Sequence, residues 1–380
     1  MLVALFGLNN ASAESCLPEG ITFSYQSQIN NFQSNYPGCT QIDGDVVISG
    51  SNIFNLNGLS VVTSIGGSLL IECNKILTSL DGLTNVSSIG VDLRLEGNFS
   101  LTNLTGLENV TFIGGDLILS NNLSLFSLSG LSGLSSIGGA LWIDDNKALL
   151  NLTGLDNLAF VAGIVRIYSN SSLTSLTGLE SLTSIGGNLL IGGQEHLGGL
   201  GNPSLTSLEG LVNLTSIGGK LEIGYNTSLA SLAGLDNIDA GSVNGLSIYN
   251  NNRLYECDVA SICDYLSNPF GIVNISDNAT GCNSQAEVEA ACLLLNTGNK
   301  AVDKVFSIYP NPTPGYIFIE TTSTTLPSYL TIINPNCEEL MKQPVSGSKT
   351  QFDLTGLPAG VYFVRLNNDR MVDFRKILKR

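Results

Sequence analysis

Between residues 42 and 256, this chain of 380 residues repeats one pattern at a nearly fixed interval. The first five steps between copies are 24 residues each and the sixth is 32. The marker is the apolar residue of an Ile-Gly pair, which stands at Ile65, Ile89, Ile113, Ile137, Val161, Ile185 and Ile217. A constant period in the range of about 20–50 residues is the signature of a repeat architecture. The body of the chain is therefore predicted to consist of stacked copies of one short unit.

Each copy contains the parts of one coil. The segment Gly-x-Leu-x-Ile alternates apolar with variable residues, which indicates a short strand with one buried face. An asparagine follows, whose amide can bond backbone groups that the turn would otherwise bury unpaired. These asparagines are Asn74, Asn98, Asn122, Asn146, Asn170, Asn226 and Asn251. Because one coil cannot bury its own apolar edge, the coils are predicted to stack with Leu69, Leu93, Leu117 and Leu141 one above another.

The pattern Ile-x-x-x-Leu-x-Ile-x-x-Asn resembles a stretched leucine-rich-repeat strand, and the 24-residue period resembles the receptor L domain. The resemblance covers residues 40 to 256 and implies a mainly β, right-handed leucine-rich-repeat-like solenoid. We expect a short helical C-terminal cap, with helices near 258–266 and 285–295 around one more coil at 271–278. Such solenoids carry unrelated binding functions, so the architecture alone does not identify a ligand.

The rest of the chain is divided by composition. Residues 1–13 are apolar and end in Ala11-Ser12-Ala13, a signal-peptidase pattern, and are interpreted as the remnant of a truncated signal peptide. An apolar N-terminal tail is the alternative. We predict an N-terminal cap at 14–41, the solenoid at 42–256, a disulfide-containing C-terminal cap at 257–296, a linker at 297–304 and a separate domain at 305–380. No run approaches the ~20 apolar residues of a membrane span, so no transmembrane segment is expected.

The cysteines lie mostly at the two ends of the repeat body. Such placement predicts disulfides that close the caps, where a solenoid would otherwise expose its core. The candidates are Cys16, Cys39, Cys257, Cys263, Cys282 and Cys292. Spacing alone does not determine the pairing. The resemblance to leucine-rich-repeat caps implies Cys257 with Cys282 and Cys263 with Cys292. We expect Cys73 and Cys337 to be unpaired.

From residue 305 the chain changes to period-2 segments separated by turn residues, which predicts a small antiparallel β-sandwich. Three motifs in this region resemble the type A sorting domain of the type IX secretion system of Bacteroidota. They comprise Pro310, Asn311, Pro312 and Gly315, then Gly360 and Tyr362, and finally the basic ending with Lys376 and Lys379. The resemblance implies the type IX secretion machinery as partner, and a secreted or outer-surface location after this domain is removed. An ordinary accessory sandwich is the alternative.

Charge excludes some partners. The net charge is -16, and residues 1–304 hold 8 basic and 26 acidic side chains, whereas residues 305–380 hold 8 and 6. An acidic body repels phosphate backbones, so no nucleic-acid partner is expected, and anionic membranes are disfavoured for the same reason.

Signs of catalysis are few. The single histidine, His196, lies in the insertion at 194–201, which also puts Gln194 where the repeat expects asparagine. Neither a catalytic triad nor a phosphate loop is recognisable, and no cofactor or metal is expected. Stacked coils do bring Asp92 beside Asp116, and Glu72 beside Glu96. Such pairs could serve a polysaccharide-active enzyme, although hydrated surface charges are the simpler interpretation.

The outward face of the predicted long sheet is the preferred binding surface. It carries apolar, aromatic and basic residues that a solvated face does not need, and Trp, Tyr and Arg dominate interface energetics. The candidate ligand-binding residues are Arg94, Ile118, Trp142, Asp144, Arg166 and Tyr168. A segment that covers this face, or scattered single residues without a role, would also account for them.

These observations favour a non-catalytic secreted or cell-surface recognition or adhesion protein that binds an unknown protein or glycan. The alternatives are the polysaccharide-active enzyme and a structural surface-layer component.

Overall fold

The computed structural model describes residues 14–193, 201–299, 306–310, 312–321, 329–334, 339–344, 349–368 and 371–380. The chain divides into two compact units, residues 1–289 and 290–380.

The first unit is built from two parallel sheets, and each repeat contributes one strand to each of them. Within the described residues the long sheet has 11 strands in chain order. They are β2 (Ile21–Phe23), β4 (Val46–Ile48), β6 (Leu69–Glu72), β8 (Leu93–Glu96), β10 (Leu117–Ser120), β12 (Leu141–Asp144), β14 (Val165–Tyr168), β16 (Leu189–Gly192), β18 (Lys220–Gly224), β19 (Gly245–Tyr249) and β20 (Val273–Ser276).

The other sheet, called the short-strand sheet, has 9 strands over the same described part of the chain. They are β1 (Glu14–Cys16), β3 (Cys39–Ile42), β5 (Ser64–Ile65), β7 (Ser88–Ile89), β9 (Phe112–Ile113), β11 (Ser136–Ile137), β13 (Phe160–Val161), β15 (Ser184–Ile185) and β17 (Ser216–Ile217). A long parallel sheet next to a short one, repeated coil after coil, is a solenoid-like arrangement.

The predicted stacking of leucines is confirmed. Leu69 pairs with Leu93, Leu93 with Leu117, and Leu117 with Leu141 across adjacent parallel strands. All four side chains are fully buried. The inward residues of successive coils therefore form one continuous apolar interior, and burying it is the main source of stability for coils that could not fold singly.

The asparagines form a buried ladder that joins the coils. Asn98 donates from Nδ2 to the Ile71 carbonyl at 2.7 Å, and its Oδ1 accepts the Asn74 backbone N–H at 3.2 Å. In the coil that contains the insertion, the sequence predicts the ladder position at residue 194, and that prediction is wrong. Asn202 holds it: its Oδ1 accepts the Asn170 backbone N–H at 3.1 Å. The insertion thus precedes the ladder position, and Gln194 and His196 lie outside the described residues.

The coils also need glycine at one corner. Gly130 has φ 110°, and a Cβ there would stand 2.0 Å from the Leu104 carbonyl oxygen. The preceding coil approaches too closely for any side chain, which explains why this position recurs as glycine.

The stacking starts earlier than predicted. Residues 14–41 were assigned to a cap that precedes the solenoid, but β1 and β2 already pair with β3 and β4. Two short helices, α1 (Gln26–Asn30) and α2 (Phe32–Asn35), complete this first coil. A disulfide joins Cys16 to Cys39, two of the candidate cysteines whose pairing the sequence left open.

The C-terminal cap contains the predicted helices and the extra coil. Helix α3 (Ala260–Ser267) precedes β20, and α4 (Gln285–Asn299) follows it, extending three residues into the segment predicted as a linker. The Cys257–Cys282 disulfide is confirmed, and Cys263 and Cys292 are disulfide-bonded as well. Cys73 is free, and Cys337 lies outside the described residues. No described helix has the length and apolar character needed to cross a membrane.

The second unit contains antiparallel strands, as predicted. Strands β21 (Phe306–Tyr309), β22 (Tyr316–Thr321) and β25 (Lys349–Asp353) form one sheet. The other contains β24 (Glu339–Pro344), β23 (Tyr329–Ile333), β26 (Gly360–Asn368) and β27 (Met371–Lys379). Residues of both sheets share one apolar core, which includes Ile317, Ile332, Phe352 and Val364.

Candidate functional site

Strand alternation places the predicted binding residues side by side on the outward face of the long sheet. Arg94 pairs with Ile118, Ile118 with Trp142, and Trp142 with Arg166, each on the neighbouring strand. Asp144 pairs with Tyr168 two residues further along the same strands. All of these residues are half-buried. The structure therefore brings the six candidates together into one surface, which we call the sheet-face cluster.

The centre of the cluster is a stack of one cation between two aromatic rings. The Arg166 guanidinium carbon lies 4.3 Å from the centre of the Tyr168 ring and 5.4 Å from that of Trp142. Both distances are within the range of favourable cation–π attraction. The stack holds the two rings and the guanidinium as one preorganised surface.

Several donors within this stack have no acceptor among the described residues. Trp142 Nε1 and the Nε and Nη2 atoms of Arg166 are buried and make no hydrogen bond within that part of the chain. Buried donors are normally satisfied, so these atoms call for an acceptor supplied by solvent or by a ligand that reaches the stack.

Asp144 lies beside the stack in a partly desolvated position. Burial raises the pKa of its carboxyl group, against the opposing effects of a 2.8 Å hydrogen bond from Ser120 and of the Arg166 charge. Burial also raises the pKa of Tyr168, and the Asp144 charge adds to that shift. The cluster therefore brings a partly desolvated carboxyl group, a phenol and a guanidinium within a few side chains of one another.

Toward the first coils the face is more polar. Arg94 lies 3.6 Å from Glu96, and both side chains are substantially exposed. An exposed pair of this kind contributes little to stability, so both groups are free to rearrange around a partner.

Toward the last coils the face is closed. Leu190, Glu222 and Ser247 occupy the same outward column but are buried. Tyr249 donates to the Glu222 carboxylate at 2.5 Å and to the Gly193 carbonyl at 3.2 Å. The interpretation that the outward column is covered thus applies to this part of the sheet, and the accessible surface ends near β14.

Where strands β12, β14 and β18 end, the surface becomes concave. A pocket of about 740 Å³ is lined by Asp144, Asp145, Lys147, Tyr168, Ser169, Ser171, Gly201, Pro203, Tyr225 and Thr227. Sequence reasoning found Asp144 and Tyr168 but missed Asp145, Lys147 and Tyr225. The available signal was the 32-residue step of the repeat, since a change of period marks coils whose turns differ from the rest.

The carboxylate pair proposed for catalysis has a structural role. Asp92 Oδ1 accepts the Asp116 backbone N–H at 2.7 Å, and Asp116 Oδ1 accepts the Ala140 N–H at 2.6 Å. The interpretation of these two as hydrated surface charges is therefore incomplete, because each supports the next coil. Glu72 and Glu96 are paired across β6 and β8. Over the described residues, no group of His, Cys, Asp and Glu could hold a metal ion.

In the second unit, several residues of the sorting motifs hold the ends of strands together. Gly315 donates its N–H to Thr313 Oγ1 and accepts from the Leu354 N–H at 2.6 Å. Tyr362 is buried and donates to the Pro358 carbonyl at 2.8 Å. Lys379 is also buried, and its ammonium donates to the Leu357 carbonyl.

The remaining motif residues are less informative. Pro310 and Pro312 are exposed, Gly360 begins β26 and Lys376 lies in β27. Asn311 lies outside the described residues.

The two units define the class of this protein as a solenoid-like body of parallel strands joined in the chain to a small antiparallel β domain. Residues 307–380 match the family model described as a secretion system C-terminal sorting domain. No curated protein matches the chain. The sorting domain indicates export through type IX secretion, to the cell surface or into the medium.

Proposed function

We propose that this is a non-catalytic recognition or adhesion protein, exported through type IX secretion, that binds a protein or a glycan on the outward face of its long sheet. The observation that carries the proposal is the Arg166 guanidinium held between the Trp142 and Tyr168 rings. Arg, Trp and Tyr are the residues that most often dominate binding energy at interfaces, because they combine large apolar area with polar groups.

Rigidity of the cluster supports the proposal. Side chains on a parallel sheet are positioned by the backbone hydrogen bonds of both neighbouring strands, and the Arg166 stack further restricts their rotation. Association with a preordered surface loses less conformational entropy than association with mobile side chains. The surface is therefore suited to binding without rearrangement.

We further propose that the body is a right-handed, leucine-rich-repeat-like solenoid of the receptor L type. The constant 24-residue spacing of paired strands and the buried asparagine ladder support this assignment. An experimental structure with left-handed coils would contradict it.

The proposal that the protein is not an enzyme is tested separately. Because Asp92 and Asp116 are engaged with backbone N–H groups, we expect no release of reducing sugar from a panel of polysaccharides. Release that disappears in the Asp92→Asn and Asp116→Asn variants would revive the polysaccharide-active alternative.

Binding is tested with the full chain on a glycan array and in pull-downs of proteins from the cell surfaces it meets. For any partner found, Trp142→Ala should weaken binding by at least about tenfold, since it removes one wall of the stack. The matched control is Phe160→Ala, because Phe160 is an aromatic residue on the short-strand sheet that is 42% exposed. Equal binding by wild type and Trp142→Ala would refute the sheet-face cluster as the site. A chain that binds nothing in either format would instead support the surface-layer alternative.

A further inference from the structure

The pocket at the ends of β12, β14 and β18 is lined by residues from four consecutive coils. Tyr168 stands on one side and Tyr225 on the other, with Gly201 from the intervening coil between them. A Cβ at Gly201 would lie 1.8 Å from the Tyr225 carbonyl oxygen, so the two coils approach too closely there for any side chain. Tyr225 is itself braced edge-to-face against Tyr249, with ring centres 5.7 Å apart. The volume of the pocket, about 740 Å³, falls within the usual range of ligand pockets, roughly 300–1,000 Å³.

The lining combines aromatic rings with hydrogen-bonding groups. Ser169, Ser171 and Thr227 contribute hydroxyl groups, which can donate or accept. Asp144 contributes a carboxylate, which accepts from Ser120 at 2.8 Å through Oδ2 and is also hydrogen-bonded to Tyr168. Rings beside hydroxyls and a carboxylate match the two faces of a sugar, which has an apolar C–H surface and a rim of hydroxyl groups.

The charges of the lining residues restrict the class of ligand further. The lining holds two carboxylates, Asp144 and Asp145, and one ammonium, Lys147, which lies 3.5 Å from Asp145, so the lining carries a net negative charge. A uronic acid or sulfated sugar would meet more carboxylates than cations in this lining. A cationic ligand would compete with Arg166, which already occupies a face of Tyr168 at 4.3 Å. A neutral saccharide meets neither obstacle.

We propose that this pocket binds the end of a neutral oligosaccharide, with sugar rings against Tyr168 and Tyr225 and sugar hydroxyls on Asp144 and the Ser and Thr side chains. The inference deepens the proposed function, because Asp144 and Tyr168 belong to both the sheet-face cluster and the pocket. A longer glycan could extend from the pocket onto the Arg166 stack.

The test uses the full chain on an array that contains neutral, uronic-acid and sulfated oligosaccharides, followed by calorimetric titration with the best-bound neutral oligosaccharide. Ser171→Trp places a large side chain in the pocket from an exposed position. The same position of the repeat holds Phe99 and Leu123 in other coils, so the fold accommodates bulk there. Asn252→Trp makes the equivalent change in an exposed position that does not line the pocket.

We expect binding of neutral oligosaccharides, a loss of at least about tenfold in Ser171→Trp, and affinity close to wild type in Asn252→Trp. No binding of neutral sugars, preference for acidic sugars, or unchanged affinity in Ser171→Trp would overturn the proposal. Trp142→Ala separates the two sites, since it removes the stack but not the pocket lining. If a protein partner binds wild type but not Trp142→Ala, and no oligosaccharide on the array binds, the sheet-face proposal is supported and the pocket proposal is refuted.

Discussion

The buried asparagine ladder makes a quantitative prediction about stability. Asn122 is fully buried, and its Oδ1 accepts the Asn98 backbone N–H at 3.0 Å. Its Nδ2 donates to the Leu95 carbonyl at 2.9 Å. Asn122→Ala therefore leaves a buried N–H without its acceptor and removes an amide hydrogen bond to the preceding coil.

The expected loss follows from these two effects. An unsatisfied buried donor costs about 1–3 kcal/mol and a lost neutral hydrogen bond about 0.5–1.5 kcal/mol. Together they lower the free energy of unfolding by about 1.5–4.5 kcal/mol, a large fraction of the roughly 5–15 kcal/mol that stabilises a typical domain. Urea unfolding followed by far-UV circular dichroism measures the change as a shift of the midpoint.

Asn109→Ala is the matched control. Asn109 also bonds a neighbouring coil, with Nδ2 donating to the Thr84 carbonyl at 2.7 Å, but its side chain is exposed. Water replaces that bond in the variant, so we expect a loss of no more than about 1 kcal/mol. If the two variants lose equal stability, burial of the ladder is not what makes it stabilising, and the reasoning is refuted.

Three further predictions concern backbone space, ionisation and cross-linking. Gly130→Ala should lower the free energy of unfolding by at least about 1–3 kcal/mol, since its Cβ would meet the Leu104 carbonyl oxygen at a backbone φ of 110°. Burial raises the pKa of Asp144 in the folded state above its pKa in the unfolded chain, so the folded state loses stability as pH rises between these two pKa values. The melting temperature of Asp144→Asn should therefore rise relative to that of wild type as pH increases from 3 to 7. Replacing Cys257 and Cys282 by Ser should cost about 3 kcal/mol in guanidinium unfolding, because the bond closes a 25-residue separation.

Each of these has its own control. Gly241→Ala should be nearly neutral, since Gly241 is exposed and a Cβ there would make only ordinary contacts. Cys73→Ser should leave the guanidinium midpoint nearly unchanged, because Cys73 is free and exposed; an equal loss would show that thiol removal, not the cross-link, is responsible. A melting-temperature difference for Asp144→Asn that does not vary with pH would contradict the ionisation argument.

Much of the fold was predictable because the same local pattern recurs. A strand of one coil can pair with the next in only one register if every inward side chain is to stay buried, so Leu93 and Leu117 could be aligned without a structure. The pairing of Cys257 with Cys282 followed from resemblance, and the antiparallel C-terminal strands from period-2 segments.

The errors occurred where the repeat is irregular. β1 and β2 lack the repeat's sequence markers, so residues 14–41 were read as a cap although their strands already belong to both sheets. Around the insertion, spacing alone placed the ladder at Gln194, whereas the need to satisfy the Asn170 N–H selects Asn202. Hydrogen bonding between coils, which spacing does not specify, decides such cases.

The repeating order of apolar side chains was thus sufficient to predict stacked parallel strands and a leucine interior, and the resemblance of three C-terminal motifs indicated the export domain. It could not establish which outward residues a partner can reach. Trp142 and Glu222 occupy the same column of the sheet, yet one is half-buried in a stack with Arg166 and the other is closed off by Tyr249. The accessibility of an outward side chain depends on neighbours contributed by other coils, and these become neighbours only when the chain has folded.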